Sequence, residues 1–202
     1  MVILAINTAA RACDLALMGA GTVLAETTED MAKGQDARLP GAVSEILLQA
    51  GLEAGELDRI AVVCGPGSFT GVRIGVAFAR GFALTLGIDC VGVTSLEAAS
   101  PVERAAAHRV ALIARQRPPD ISFWTQDLSG AGASGPAEER PLDQVKGPLP
   151  IYSDRPDLLE GARPCAPAAV TAARRAETLT PRRHPARPVY VRAPDAALPA
   201  RP

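Results

Sequence analysis

Over the first 107 residues, apolar positions come in short blocks separated by polar or glycine-containing turns, and the spacing inside each block predicts its element. Residues 2–8 and 13–18 are apolar runs of strand length. The Gly19-Ala20-Gly21 turn closes a hairpin onto a third run, 22–27. Leu39, Val43, Ile46, Leu47 and Ala50 recur at helical spacing, with Leu39-Pro40 opening the helix and Gly51 stopping it, and residues 59–64 read as a buried strand. A glycine-rich loop then leads into a second helix running to about Leu86 and closed by Gly87. Residues 88–93 form another strand, and Thr94 or Ser95 caps a helix through about Ala107, with Glu97 or Glu103 outward.

The order βββαβαβα predicts an α/β fold: a mixed sheet with helices on its faces, as in a ribonuclease-H-like or actin-like lobe. Beyond residue 107 the rhythm weakens. Residues 110–114 and 121–125 pair as strands around Arg117-Pro118-Pro119-Asp120, and 128–140, rich in Gly, Ser and Ala, reads as a loop. Two-thirds of the 18 prolines lie beyond Glu139, which limits long regular structure there. Residues 188–192 are a short late strand candidate. The chain therefore divides into an N-terminal lobe, 1–107, and a smaller proline-rich second lobe with a basic tail, 108–202.

The loop and helix start Gly65-Pro66-Gly67-Ser68-Phe69-Thr70-Gly71-Val72-Arg73-Ile74-Gly75 carry the most information. Bare backbone at Gly65, Gly67 and Gly71 suits either a phosphate cradle at a helix N-terminus or the close packing of two backbones. A Walker loop needs Gly-Lys-Ser/Thr, yet Gly71 is followed by Val72 and Arg73. The dinucleotide fingerprint needs glycine where Thr70 stands. Both mismatches favour packing. Gly71, Gly75 and Ala79 recur every fourth residue and predict a groove along the helix, beside a ridge of Phe78, Phe82 and Leu86, with Val72, Val76 and Ala83 filling further positions. Such a helix needs cover on two sides, from a sheet and from a second helix of this chain or of a partner. Arg73 and Arg80 interrupt the run too closely for a membrane span.

The 202 residues are 48% hydrophobic with a net charge of −1, enough for one sizeable core or two small ones. Charge is segregated along the chain: residues 26–58 are mainly acidic and 171–202 mainly arginine, a distribution that suits RNA or an acidic protein surface at the basic end. Cys13, Cys64, Cys90 and Cys165 form no C-x-x-C pair and read as reduced core residues. No signal-peptide pattern precedes the first strand, so a cytoplasmic location is expected. His108 and His184 read as surface residues and write no metal site. Ser68 and Thr70 lack a nucleophile elbow and read as capping or loop-bracing hydroxyls. Asn7 and Thr8 end the first strand where an actin-like nucleotide site places an acid and a hydroxyl. The neutral Asn7 removes a charge that hard-cation binding and phosphoryl transfer use, leaving at most a vestigial nucleotide site.

The run Ile3-Leu4-Ala5-Ile6-Asn7-Thr8-Ala9, the hairpin after it, Leu39-Pro40, the loop 65–75 and Gly92-Val93-Thr94-Ser95-Leu96-Glu97 together resemble the bacterial TsaB (YeaZ) family. The similarity covers residues 1 to about 104, with Pro188-x-Tyr190-x-Arg192 and a faint match at 110–126. The resemblance implies an actin-like (ASKHA) fold with a reduced second lobe and a non-catalytic dimerisation subunit, without cofactor or metal. It would act with a TsaD-like partner and a TsaE-like ATPase in making N6-threonylcarbamoyladenosine beside the tRNA anticodon, meeting tRNA through the complex. It also implies that the helix after the glycine loop meets TsaD. Where the family usually has Asp, often His, and Asp-Ala-Arg, this chain has Asn7, Gln35 and Ile113-Ala114-Arg115. The expected interface is thus Gly71, Val72, Gly75, Val76, Phe78 and Ala79, flanked by Arg73 and Arg80, with homodimerisation through the same face when the partner is absent. On this reading Gly75→Leu stays soluble and loses the partner. The rival reading is an actin-like ATPase or metalloprotease-like enzyme; direct tRNA binding by the basic tail is a third reading, compatible with the scaffold role.

Overall fold

The computed structural model describes residues 1–101, 106–130 and 132–191. The expectations for Glu103, Arg192 and Arg201 lie outside these residues. The first sheet is built from β1 (Val2–Asn7), β2 (Ala12–Gly19), β3 (Thr22–Asp30), β4 (Arg59–Val63) and β5 (Asp89–Val93), ordered β3-β2-β1-β4-β5. β1 pairs antiparallel with β2 and parallel with β4, and β4 pairs parallel with β5. α1 (Gln35–Ala50) covers β2 and β3, while α2 (Phe69–Leu86) covers β4 and β5. A short α3 (Ser95–Ala99) follows β5.

The second sheet is built on a hairpin of β6 (His108–Arg117) and β7 (Asp120–Ser129), turning through Pro118-Pro119 as its sequence predicts. The stretch expected to be a loop, 128–140, instead supplies β8 (Gly132–Ala133) and most of β9 (Glu138–Pro141), both paired to β7. β10 (Ile151–Ser153) and β11 (Arg163–Pro164) complete the sheet on the β6 side. The chain then returns: α4 (Ala168–Ala176) lies across β2, β1 and β4 of the first sheet. The expected division at residue 107 is corrected accordingly, because the last helix and the segment after it belong to the first layer of packing.

α4 explains why β1 and β4 lack alternation. Ile3, Leu4, Ala5, Ile6, Ile60, Ala61 and Val62 are all fully buried, since α1 and α2 cover one face of the sheet and α4 the other. α4 approaches closely because it presents Ala169, Ala172, Ala173 and Ala176, and Arg59 fixes its far end by donating to the Ala176 and Leu179 carbonyls. Two helix ends differ from expectation. α1 begins at Gln35, four residues before Leu39, with Arg38 N–H donating to Gly34 O and Pro40 inside the helix; the proline's preference for a first turn places the start too late. α3 stops at Ala99 because Pro101 holds Ser100 extended, at φ −82° and ψ 132°. Its start is the Thr94–Glu97 capping box.

Candidate functional site

The glycine loop turns inward. Ser68 N–H donates to Ala9 O, Ser68 Oγ accepts from Gly71 N–H as the N-cap of α2, and Thr8 Oγ donates to Gly71 O at 2.7 Å. A Cβ on Gly67 would collide with the Ala9 carbonyl, on Gly71 with the Thr8 carbonyl, and on Gly75 with the Thr8 hydroxyl. These glycines let α2 and its loop lie directly on the turn after β1. Packing, not phosphate binding, uses their bare backbone. Ser68 is the capping hydroxyl its position predicts, while Thr70 is exposed at the helix start.

The same geometry corrects the expected docking groove. Gly71, Val72, Gly75, Val76 and Ala79 are buried against this chain's own sheet, so no second helix can enter along them, and Gly75→Leu would strike Thr8 before it reached a partner. Gly65 is filled in the same manner by the Val189 carbonyl. The surface of α2 is the opposite side: Arg73, Ala77, Arg80, Gly81 and Leu84 are exposed, with Phe78 half-buried beside them. A Cβ on Gly81 would meet open space. Leu84 is 83% exposed, and Leu48, on the last turn of neighbouring α1, is 81% exposed; no other large hydrophobic is so uncovered among the described residues. Spacing alone could not choose between the two sides, because 71/75/79 and 77/81/84 both follow helical periodicity in small or apolar residues.

The nucleotide-site positions are also occupied. Thr8 is fully buried with its hydroxyl on Gly71, while the Asn7 amide donates to Asp14 and its oxygen accepts from Ala9 N–H. Asp14 also accepts from Thr28 and from Ala169 N–H in the first turn of α4, so a carboxylate already sits where that helix would attract an anion. Burial pushes its carboxyl above the usual carboxylate range against these hydrogen bonds. Gln35 is buried and donates to Met31 O, and Ile113-Ala114-Arg115 spans an irregularity in the β6–β7 register.

His108 corrects its surface assignment. It is buried, bonded through Nε2 to Ser100 Oγ at 2.8 Å and through Nδ1 to Ala106 O at 2.9 Å, and its ring meets Tyr152 edge-on. His184 is partly buried, and its carbonyl accepts from Gly92 N–H. All four cysteines are free thiols, two buried and two partly so, with burial pushing Cys64 up to about 11 and Cys90 and Cys165 up to about 12.

After α4 the chain runs back along the edge of the first sheet. Val91 bridges Pro185, Val189 N–H donates to Cys64 O, and no strand forms at 188–191. Arg73 ties this strap to α2: its Nε donates to the Tyr190 hydroxyl at 3.0 Å, its guanidinium lies 3.7 Å over the Phe69 ring, and Phe69 and Tyr190 are 5.4 Å apart. Between the strap and α2 runs an open groove of about 760 Å³, lined by Ala77, Arg80, Leu84, Cys90, Pro185 and Arg187 among others.

Two mixed sheets flanked by helices, with the first sheet ordered 3-2-1-4-5, define an actin-like protein of the ASKHA class. The chain belongs to the TsaB (YeaZ) family. YeaZ from Pseudomonas aeruginosa superimposes with a TM-score of 0.70 at 25% identity, over 94% of this chain and 99% of that one. TsaB of Escherichia coli, a tRNA threonylcarbamoyladenosine biosynthesis protein, is 42% identical over 96 residues, 48% of this chain and 41% of that protein. An uncharacterised protein of Mycobacterium tuberculosis is 32% identical over 182 residues, 86% of this chain and 82% of that one. Residues 22–115 match the family described as TsaD, tRNA N6-adenosine threonylcarbamoyltransferase.

Proposed function

We propose that this chain serves threonylcarbamoyladenosine biosynthesis on tRNA as a non-catalytic, cytoplasmic subunit that docks a TsaD-like enzyme through the outward sides of α1 and α2. The observation that carries the docking mode is the pair of uncovered leucines, Leu48 and Leu84, on adjacent helices, with exposed Ala77 and Gly81 beside Leu84 leaving room for a close approach. Phe78, Arg73 and Arg80 remain in the interface from the sequence expectation, now joined by Ala77, Gly81, Leu84 and Leu48.

The non-catalytic reading rests on the groups at the former nucleotide position being spent within the chain: Thr8 on Gly71, and Asn7 and the first turn of α4 on Asp14. The relatives' names support the pathway, and the match to the TsaD family supports a TsaD-containing complex. A TsaE-like ATPase joins the same assembly, and without the partner the leucine face supports a homodimer.

Reconstitution tests the reading. TsaD-like enzyme from the same cell, TsaE-like ATPase and a threonylcarbamoyl donor should modify an unmodified tRNA transcript only when this chain is added. Modification at an equal rate without it, or Mg-ATP hydrolysis by this chain alone, would favour the rival enzyme reading.

A further inference from the structure

Two segments far apart in sequence carry exposed arginines and meet along one groove, which Arg80 of α2 and Arg187 of the strap both line. α2 contributes Arg73 and Arg80, the strap 178–191 contributes Arg182, Arg183 and Arg187, and neither segment contains an Asp or Glu. The side chains are exposed, and among the described residues none of these arginines makes an ion pair. In a chain of net charge −1, with Glu26, Glu29, Asp30, Asp36, Glu53, Glu56 and Asp58 gathered elsewhere, such a surface is a local positive field.

Its chemistry is more specific than charge. Where the strap meets α2, Phe69 and Tyr190 are 40% and 42% exposed, two of the few large hydrophobics left uncovered, and Arg73 stacks on Phe69 while holding the Tyr190 hydroxyl. Two rings held beside a guanidinium make a platform on which an unpaired base can stack, and the exposed arginines of the strap can meet phosphates. A protein partner would favour this combination less, because the strap offers no large apolar anchor besides Tyr190. Ala77, Gly81 and Leu84 of the docking face line the groove between α2 and the strap together with Arg80 and Arg187, so the basic surface overlaps the strap-side edge of the docking face.

We infer that the strap and the adjoining side of α2 bind single-stranded or looped RNA, with Arg182, Arg183 and Arg187 on phosphates and the Phe69–Tyr190 platform stacking an unpaired base. The inference rests on the tRNA-modification reading only for the identity of the RNA.

The test uses the full chain and an unmodified 17-nucleotide anticodon stem-loop RNA, with fluorescence anisotropy measured across a salt series. Wild type should bind with affinity falling steeply in salt. Replacing Arg182, Arg183 and Arg187 together by Gln should weaken binding at least about tenfold and flatten the log–log salt slope by about 2, near 0.7 for each phosphate no longer neutralised. Tyr190→Ala should weaken the loop RNA about tenfold, and Tyr190→Phe, which keeps the ring and loses the hydroxyl, much less. Far-ultraviolet circular dichroism confirms that each variant is folded.

Affinity within twofold of wild type for the triple variant would overturn the proposal. Equal losses for the loop RNA and for heparin, with Tyr190→Ala inert, would overturn the stacking site and leave a general polyanion patch. Capture of the TsaD-like partner is measured on the same variants. Lost capture with unchanged RNA affinity would reassign the arginines to a protein contact, while retained capture with unchanged RNA affinity would overturn the RNA site and leave the docking reading standing.

Discussion

At the residue scale, glycines on one helix play opposite parts. Gly71 is a point of contact with Thr8, so Gly71→Ala forces the turn after β1 away from α2 and should cost about 3 kcal/mol, the upper range for overpacking a tight site. Gly81 faces open space in a helix interior, so Gly81→Ala should stabilise by about 0.5–1 kcal/mol through helix propensity. Urea denaturation of both variants checks the signs. Two stabilised proteins would mean that α2 does not lie on Thr8. Glycine spacing is legible in the sequence, but what each glycine faces is not, because that depends on a turn some sixty residues earlier in the chain.

At the scale of elements, β6 and β7 are locked by a pair that only the folded hairpin brings together. Arg109, 9% exposed, donates to both oxygens of Asp127, which is 36% exposed, and also to Val145 O. The guanidinium holds the Asp127 carboxyl below the usual carboxylate range. A depressed carboxylate stabilises the fold above its unfolded value, near 3.8, and that contribution is lost as pH falls through the folded value below it. Asp127→Asn should therefore cost about 1 kcal/mol at pH 6, a figure reduced for the partly exposed carboxylate, and the gap to wild type should narrow as pH falls from 3.8 through the folded value below it. A gap that stays constant with pH would deny the charge its role. Asp14 has the opposite sign: its raised carboxyl costs stability as pH climbs above 3.8.

Elements with strong periodicity or glycine stops, from β1 through β5, are legible in the sequence. So is the hairpin around Pro118-Pro119. The short strands β8 to β11 are not, since two to four residues carry no period. Nor is the destination of α4, whose alanines suit any close-packed surface.

At the scale of the whole molecule, acids gather on β3, α1 and the segment after it, and arginines without an ion pair among the described residues gather on α2 and the strap, with the uncovered leucines of α1 and α2 offering an apolar contact. The fold is recognisable from its first hundred residues. Periodicity picks out α2 but not its buried side, because a helix that is apolar around its girth does not announce which side its own sheet will take. The central claim is that the outward leucine face holds the TsaD-like partner, and co-purification of the tagged chain with that partner tests it most directly. Wild type should form a stoichiometric complex, whereas Leu84→Glu, at a position 83% exposed, should keep its urea midpoint and lose the partner. Undiminished complex formation by Leu84→Glu, with Leu48→Glu equally silent, would contradict the account.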